Sequence, residues 1–234
     1  MIYFRMDHIL NIFALAFSQR INISYFKRKF LENPFGDSLH VLSYDRHNNL
    51  VATRVLWKLD SHSHYQCVDT AVHPSYQGRG LFKLSTAYIL NTFPDLCFYN
   101  KPNSNSLPQY LKYGWKIDQI QNLSLSSRFN PRFLSSIPVL YWSLPQLNWR
   151  LSLTNYNCYS QFFYNGYYYV STKKRNFFDM LLFKTPFNLG LPPSNSFLFF
   201  SFDGTSSFNL PYTQTLLSSC PYSYVPPSFY YDMT

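Results

Sequence analysis

The chain has no stretch approaching the ~20 consecutive apolar residues that a bilayer span requires, and its start offers no long apolar core followed by a small-residue cleavage site. Met1 to Ala16 carries Arg5 and Asp7 and then an apolar stripe at helical spacing, so the cytoplasm is the expected location, with a peripheral place at the inner membrane left open. Close cysteine pairs are missing too. Cys67, Cys97, Cys158 and Cys220 lie far apart, which excludes the paired spacing of zinc and redox motifs and leaves four reduced thiols as the expectation. Charge is scarce, at 13% of residues with only 11 Asp and Glu, yet 46% are hydrophobic. A disordered chain combines low hydrophobicity with high net charge, so this one folds. No exact internal repeat occurs.

What is abundant is aromatic: 23 Phe, 21 Tyr and 4 Trp make up 21% of the sequence. They are spread along the whole length without a repeated Lys/Arg interleave, so they read as core residues rather than a stacking platform for bases. The net charge of +9 favours an anionic partner, whether phosphorylated cofactor, nucleic acid or membrane surface. Its main basic runs, Lys27–Lys29 and Lys173–Arg175, are too short for a nucleic-acid tail and read as solvated faces. At 234 residues the chain accommodates one full domain and a second, smaller unit.

Along the chain, Asp7 is placed to cap a helix over residues 7–19, and a shorter helix spans Ser24–Leu31 before Asn33-Pro34-Phe35-Gly36 turns the chain. Residues 39–44 and 50–57 with Asn48-Asn49 between them predict a hairpin, and Tyr65–Val72 a third strand closed by Pro74. From Gly80 the spacing of Leu81, Leu84, Ala87 and Tyr88 predicts a helix ended by Pro94. Leu96–Asn100 reads as a strand, Asn103 or Ser104 as the cap of a helix through Tyr113, and Trp115–Ile120 as a further strand. Beyond residue 120 the expectations are hairpins at Asn165-Gly166 and Asp203-Gly204, a helical segment near Phe177–Phe183, and poor order over Ser218–Thr234.

Chemistry concentrates in Val68 to Phe82, where a strand empties into Gln77-Gly78-Arg79-Gly80 and the turn opens directly into a helix. Backbone N–H groups at such a helix start favour a phosphate, and Gly78 and Gly80 permit backbone shapes and ligand approach that a Cβ would block. An ordinary strand-turn-helix would use the same glycines. His73-Pro74-Ser75-Tyr76-Gln77-Gly78-Arg79-Gly80, however, resembles the acetyl-CoA motif of the GNAT acyltransferase superfamily, Gln/Arg-x-x-Gly-x-Gly/Ala after a strand end. Phe82 departs from the small residue usual at the motif's end. A second stretch, Pro102 to Trp115, resembles the family's Asn, small residue, Tyr, Lys-x-Gly-aromatic pattern at Asn103, Ser106, Tyr110, Lys112, Gly114 and Trp115.

The resemblance implies an α/β (mixed α+β) fold: a GNAT-type mixed, mostly antiparallel sheet flanked by helices over residues 1–120, with a smaller C-terminal α+β unit, a reduced GNAT-like half, over 121–234. It implies an N-acyltransferase with acetyl-CoA as co-substrate. The strand before the glutamine motif would splay from its neighbour, with Thr70 and Val72 contacting the acyl group and pantetheine. Gln77, Gly78, Arg79, Gly80, Leu81 and Phe82 would hold the pyrophosphate, and Asn103 would lie beside the pantetheine arm. Tyr110 falls where the family often has a general-acid tyrosine, the other reading being a core tyrosine on a helix face. The amine must be neutral to attack, but no base is assigned: Gln66 stands where some relatives carry Glu, and Asp69 and His73, candidates by type, read first as strand-end hydrogen-bonding residues.

Phe26 to Gly36, with Asn148-Trp149-Arg150, resembles the longer family members associated with surface-polysaccharide biosynthesis, which points the acceptor toward an amino sugar or similar small amine. No metal is called for, and nucleic acid is a disfavoured partner. Two other functions stay open: a non-catalytic GNAT-like module holding a polysaccharide or nucleic acid, and aminoacyl transfer from a charged tRNA, which the +9 charge permits.

Overall fold

The computed structural model describes residues 6–18, 20–59, 63–127, 130–137, 139–153, 159–175, 178–194, 196, 198–202 and 209–219. The chain divides into two compact units, Met1–Lys116 with Leu217–Tyr224, and Ile117–Leu216 with Val225–Thr234.

In the first unit, α1 (Met6–Phe17) and α2 (Ile23–Phe30) precede β1 (Leu39–Tyr44), β2 (Leu50–Lys58) and β3 (His64–Val72). Then come α3 (Leu81–Thr92), β4 (Cys97–Asn100) and α4 (Leu107–Lys112). The strands run in the order β1-β2-β3-β4. β1 with β2 and β2 with β3 are antiparallel, whereas β3 and β4, joined through α3, are parallel. The β1–β2 turn is built by Asp45, whose carboxylate accepts from the amides of His47 and Asn49, both at 2.9 Å, letting Asn48 take φ 61°.

Successive strand residues face opposite ways, and β1 shows it. Leu39 and Val41 join the cluster of Leu56, Tyr65, Cys67, Ile89, Phe98, Tyr110 and Trp115, while His40 lies against the rings of Phe26 and Phe30 on α2. Helices therefore cover both faces, and β2 is buried from Leu50 to Trp57, the near-continuous apolar run expected of a strand enclosed on both sides.

Several expected elements are placed differently. Asp7 sits in the first turn of α1, not at its cap, where a carboxylate still suits the positive helix end. Asn22 caps α2 by accepting from the Ser24 amide at 2.7 Å. Lys29 of the first basic run is buried rather than solvated, because its ammonium reaches Asp69 at 2.7 Å. The helix expected to be capped by Asn103 or Ser104 shifts as well: Asn103 shapes the preceding turn and α4 begins at Leu107.

The second unit contains β5 (Lys116–Ser127, beginning one residue before it), α5 (Pro131–Ser136) and α6 (Leu144–Ser152). β6 (Tyr159–Tyr164), β7 (Tyr167–Arg175), β8 (Phe178–Thr185), β9 (Leu198–Phe202) and β10 (Asn209–Ser218) follow. Strands β5-β9-β8-β7-β6 are neighbours in that order. Phe133 and Leu134 of α5 and Ile137 just after it pack on Phe162, Tyr169, Leu181 and Phe199, with Phe162 and Tyr169 stacked at 5.1 Å. The expected Asn165-Gly166 hairpin joins β6 to β7, with φ of 46° and 82° at the two turn residues. Phe178–Thr185 is a strand where a helix was expected. A short apolar run fits either element, and here β7 pairs on one side and β9 on the other, with Leu181 buried against Phe162 and Tyr169 and Phe183 in the cluster of Leu140, Leu147 and Val170. The last two residues of β10, Leu217 and Ser218, belong to the first unit, where they pair with Asn100 and Tyr99 of β4. Asp203-Gly204, Cys158, Cys220 and the tail beyond Ser219 lie outside the described residues; Cys67 and Cys97 are free thiols.

Candidate functional site

The site is built where β3 stops behaving as a regular strand. Thr53 pairs with Ala71 and Val55 with Val68, so Arg54 alone faces both Asp69 and Thr70, a bulge with one extra residue in β3. Asp69 takes φ 45°, a conformation that costs a branched or charged residue free energy unless something holds it. Lys29 does so through the 2.7 Å ion pair, its own ammonium lying 5.1 Å from the centre of the Phe30 ring. On the other side, pairing with β4 runs only from His64↔Cys97 to Gln66↔Tyr99. Cys67 to Val72 continue with no registered partner strand on that side among the described residues, so Thr70 and Val72 are half-buried residues on an edge that has left its neighbour.

Past Val72 the chain makes a 3-10 turn, Pro74–Tyr76, with the His73 ring nitrogen accepting from the Ser75 amide at 3.2 Å. His73 is thus a turn-capping residue, and Asp69 an ion-pair partner; neither is presented as a free base. Gln77 folds its side-chain amide back onto the Val72 carbonyl at 3.3 Å. Gly78 and Gly80 then adopt φ 74° and 78°, and Gly80 is the residue before α3, without a side-chain cap. Among the described residues, no protein acceptor takes the amides of Gly78, Arg79, Gly80, Leu81 and Phe82. They open a helix of twelve residues, whose first N–H groups have no acceptor of their own within it. A Cβ on Gly78 or Gly80 would meet nothing within 4 Å, so the space before these amides is open.

This turn is braced from below by residues that sequence reasoning missed. The Tyr76 hydroxyl donates to Asp45 at 2.7 Å, and the Arg79 guanidinium lies 4.8 Å over the Tyr76 ring. The Asn49 amide, the Tyr76 hydroxyl and the other donors on Asp45 hold its carboxyl well below the usual range. The signal was present in Asp45 standing ahead of Asn48-Asn49, an Asx-turn pattern, but the link to Tyr76 is visible only in three dimensions.

Asn103 is exposed; its Oδ1 accepts from the Ser106 amide at 2.9 Å and its Nδ2 has no partner among the described residues. Tyr110 is 2% exposed, edge-on to Phe82 at 5.3 Å and Trp115 at 4.7 Å, so it is a core tyrosine by position. Its hydroxyl oxygen accepts from the Arg54 guanidinium at 2.5 Å. Burial pushes the phenol far above its ordinary value, against the opposing pull of the Arg54 charge. Burial likewise raises the Cys67 thiol. Arg54 was not singled out from sequence, since an arginine amid β2 residues reads as an exposed position.

A mixed sheet with a parted parallel pair thus carries unengaged amides at the start of its crossover helix, and the positive end of a helix is suited to an anion. No family model and no curated protein matches the chain. Solved structures do. A GCN5-related N-acetyltransferase from Kribbella flavida is 12% identical with a TM-score of 0.57, covering 92% of this chain and 68% of its own. A conserved protein of unknown function from Enterococcus faecalis, a probable N-acyltransferase, gives 12% and 0.57 over 92% and 70%. A GCN5-related N-acetyltransferase from Anabaena variabilis gives 12% and 0.53 over the same shares. The chain has a fold resembling that of the GNAT superfamily. No helix among the described residues is long and apolar enough to cross a membrane, and no group of His, Cys, Asp or Glu among them is placed to hold a metal.

Proposed function

We propose that the protein is an N-acyltransferase that moves an acetyl or other acyl group from acyl-CoA to a primary amine by direct attack in a ternary complex. The observation that carries this reading is the run of unengaged amides from Gly78 to Phe82 ahead of α3, beside a β3 edge that has left its partner. Acyl-CoA fits these residues, because a diphosphate supplies the acceptors that the amides lack and the two left-handed glycines keep the approach clear.

Gly78, Arg79, Gly80, Leu81 and Phe82 bind the diphosphate through their main chain, and Gln77 fixes the turn. Thr70 and Val72 present strand backbone to the pantetheine and acyl group, while Asn103 offers its free Nδ2 to the pantetheine arm. Bound acetyl-CoA supplies a thioester as the acyl donor. As the amine nitrogen bonds to the acyl carbon and the carbon–sulfur bond breaks, Tyr110 gives its proton to the departing sulfur. The acceptor is a small primary amine, an amino sugar first among those the Phe26–Gly36 segment favours.

Calorimetric titration with acetyl-CoA tests the reading: binding is expected, and no heat at millimolar ligand overturns it. The burial of Tyr110 favours one other reading, a GNAT-like module that binds acyl-CoA without turnover. Binding without release of free thiol, across amino sugars, amino acids and peptides, would select that reading.

A further inference from the structure

Among the described residues, Arg54 heads the fully buried side chains by volume, at 1% exposure in the middle of β2. Its guanidinium is permanently charged, yet no carboxylate pairs with it among the described residues. Nη1 donates to Thr86 Oγ1 and Nη2 to the Tyr110 hydroxyl oxygen, each at 2.5 Å, while Nε has no acceptor among the described residues. The group lies 4.8 Å from the Phe82 ring centre and 5.3 Å from that of Tyr110.

A buried cation with only neutral partners is a burden on the fold, and replacing such a group by an apolar residue of similar volume is commonly neutral or stabilising. Thr86 does not depend on it, since its hydroxyl donates to the Phe82 carbonyl at 2.8 Å. What remains is the effect on Tyr110. A guanidinium can only donate, so the phenol oxygen is an acceptor at this contact and its single proton is left for another group, which in the ligand-free protein is the neighbouring buried Cys67 thiol. The positive charge also stabilises the tyrosinate left when that proton departs, in surroundings where burial first and the neighbouring Cys67 second oppose ionisation.

We propose that Arg54 is the positioning residue for proton donation by Tyr110: it holds the phenol oxygen, leaves the O–H to the departing thiolate of acyl-CoA, and stabilises the tyrosinate. The proposal rests on the acyltransferase reading. The step balances, for the sulfur gains the Tyr110 proton and the tyrosinate regains one from the attacking nitrogen, which sheds a proton as its bond to the acyl carbon forms.

The test is a cycle of Arg54→Met, Tyr110→Phe and the double variant, with Arg54→Lys beside them. Acetyl-CoA affinity is read by calorimetry and thiol release with acetyl-CoA and glucosamine. In the ligand-free protein, the tyrosine 13Cζ resonance lost in Tyr110→Phe is followed. Arg54→Met is expected to fold with an undiminished Tm and native acetyl-CoA affinity. Its kcat should fall about a hundredfold at unchanged KM, as for loss of a general acid, and Arg54→Lys should recover part of the rate. The double variant is expected to be no slower than Tyr110→Phe alone, and the Tyr110 resonance should shift in Arg54→Met. Multiplying losses, an unmoved resonance, or an Arg54→Met chain that fails to fold while Arg54→Lys restores only stability would each overturn the role of Arg54. Native protein that binds no acetyl-CoA would instead overturn the acyltransferase reading, and this proposal with it.

Discussion

Gly80 and Gly166 form a matched pair for separating backbone strain from ligand binding. Both have left-handed φ, 78° and 82°, and a Cβ at either meets no atom within 4 Å. Alanine at each therefore pays the conformational cost alone, roughly 1–2 kcal/mol for an L-residue in that region. The stiffer unfolded chain returns about 0.4–1 kcal/mol of it. A net loss near 1 kcal/mol lowers Tm by about 2–4 °C in a chain of this size. The two variants are expected to match in thermal and urea unfolding. They should part in calorimetry with acetyl-CoA: Gly80→Ala puts a methyl group before the open amides of the helix start, so its Kd should rise about tenfold, a loss near 1.4 kcal/mol. Gly166→Ala, in the β6–β7 turn, should bind as the native protein does. Native affinity in Gly80→Ala, or equal weakening in both, would refute the assignment of the α3 start as the diphosphate site.

His40 predicts an acid sensitivity. Burial lowers its pKa from 6.5 to about 4, and neither ring nitrogen has a partner among the described residues. The folded state thus favours the neutral ring; this contribution is complete above pH 6.5 and is lost as pH falls toward 4, by at most about 3 kcal/mol. His40→Leu should flatten the urea midpoint across that window, and an unchanged slope would dismiss the histidine. Lys29→Met removes the partner of a strained Asp69, so amide exchange at Asp69 and Thr70 should quicken and acetyl-CoA affinity fall; native exchange there would show that the bulge holds itself. Tyr76→Phe unties the turn before α3 from Asp45 and should weaken acetyl-CoA several-fold with Tm nearly unchanged, a result that equal affinity would contradict.

The local elements were legible because they rest on short-range rules. The hairpin at Asn48-Asn49, the strand before Pro74, the helix after Gly80 and the turn at Asn165-Gly166 each follow from backbone preferences of a few neighbouring residues. Glycine's left-handed φ at residues 78 and 80 belongs to the same class, and so does the helix start that follows. Phe178–Thr185 escaped because a short apolar run carries no period of its own, and its pairing with β7 and β9 decides the matter. The charged side chains were illegible for a related reason. Whether Lys29 is solvated depends on Asp69, forty residues away, and whether Arg54 points outward depends on Thr86 and Tyr110 across the unit. Sequence by itself determined where the chain turns and which amides are left over at a helix start. Only tertiary structure decided the bulge opposite Arg54, the parting of β3 from β4 and the burial of an arginine against a phenol, because those depend on contacts between residues that no local rule brings together.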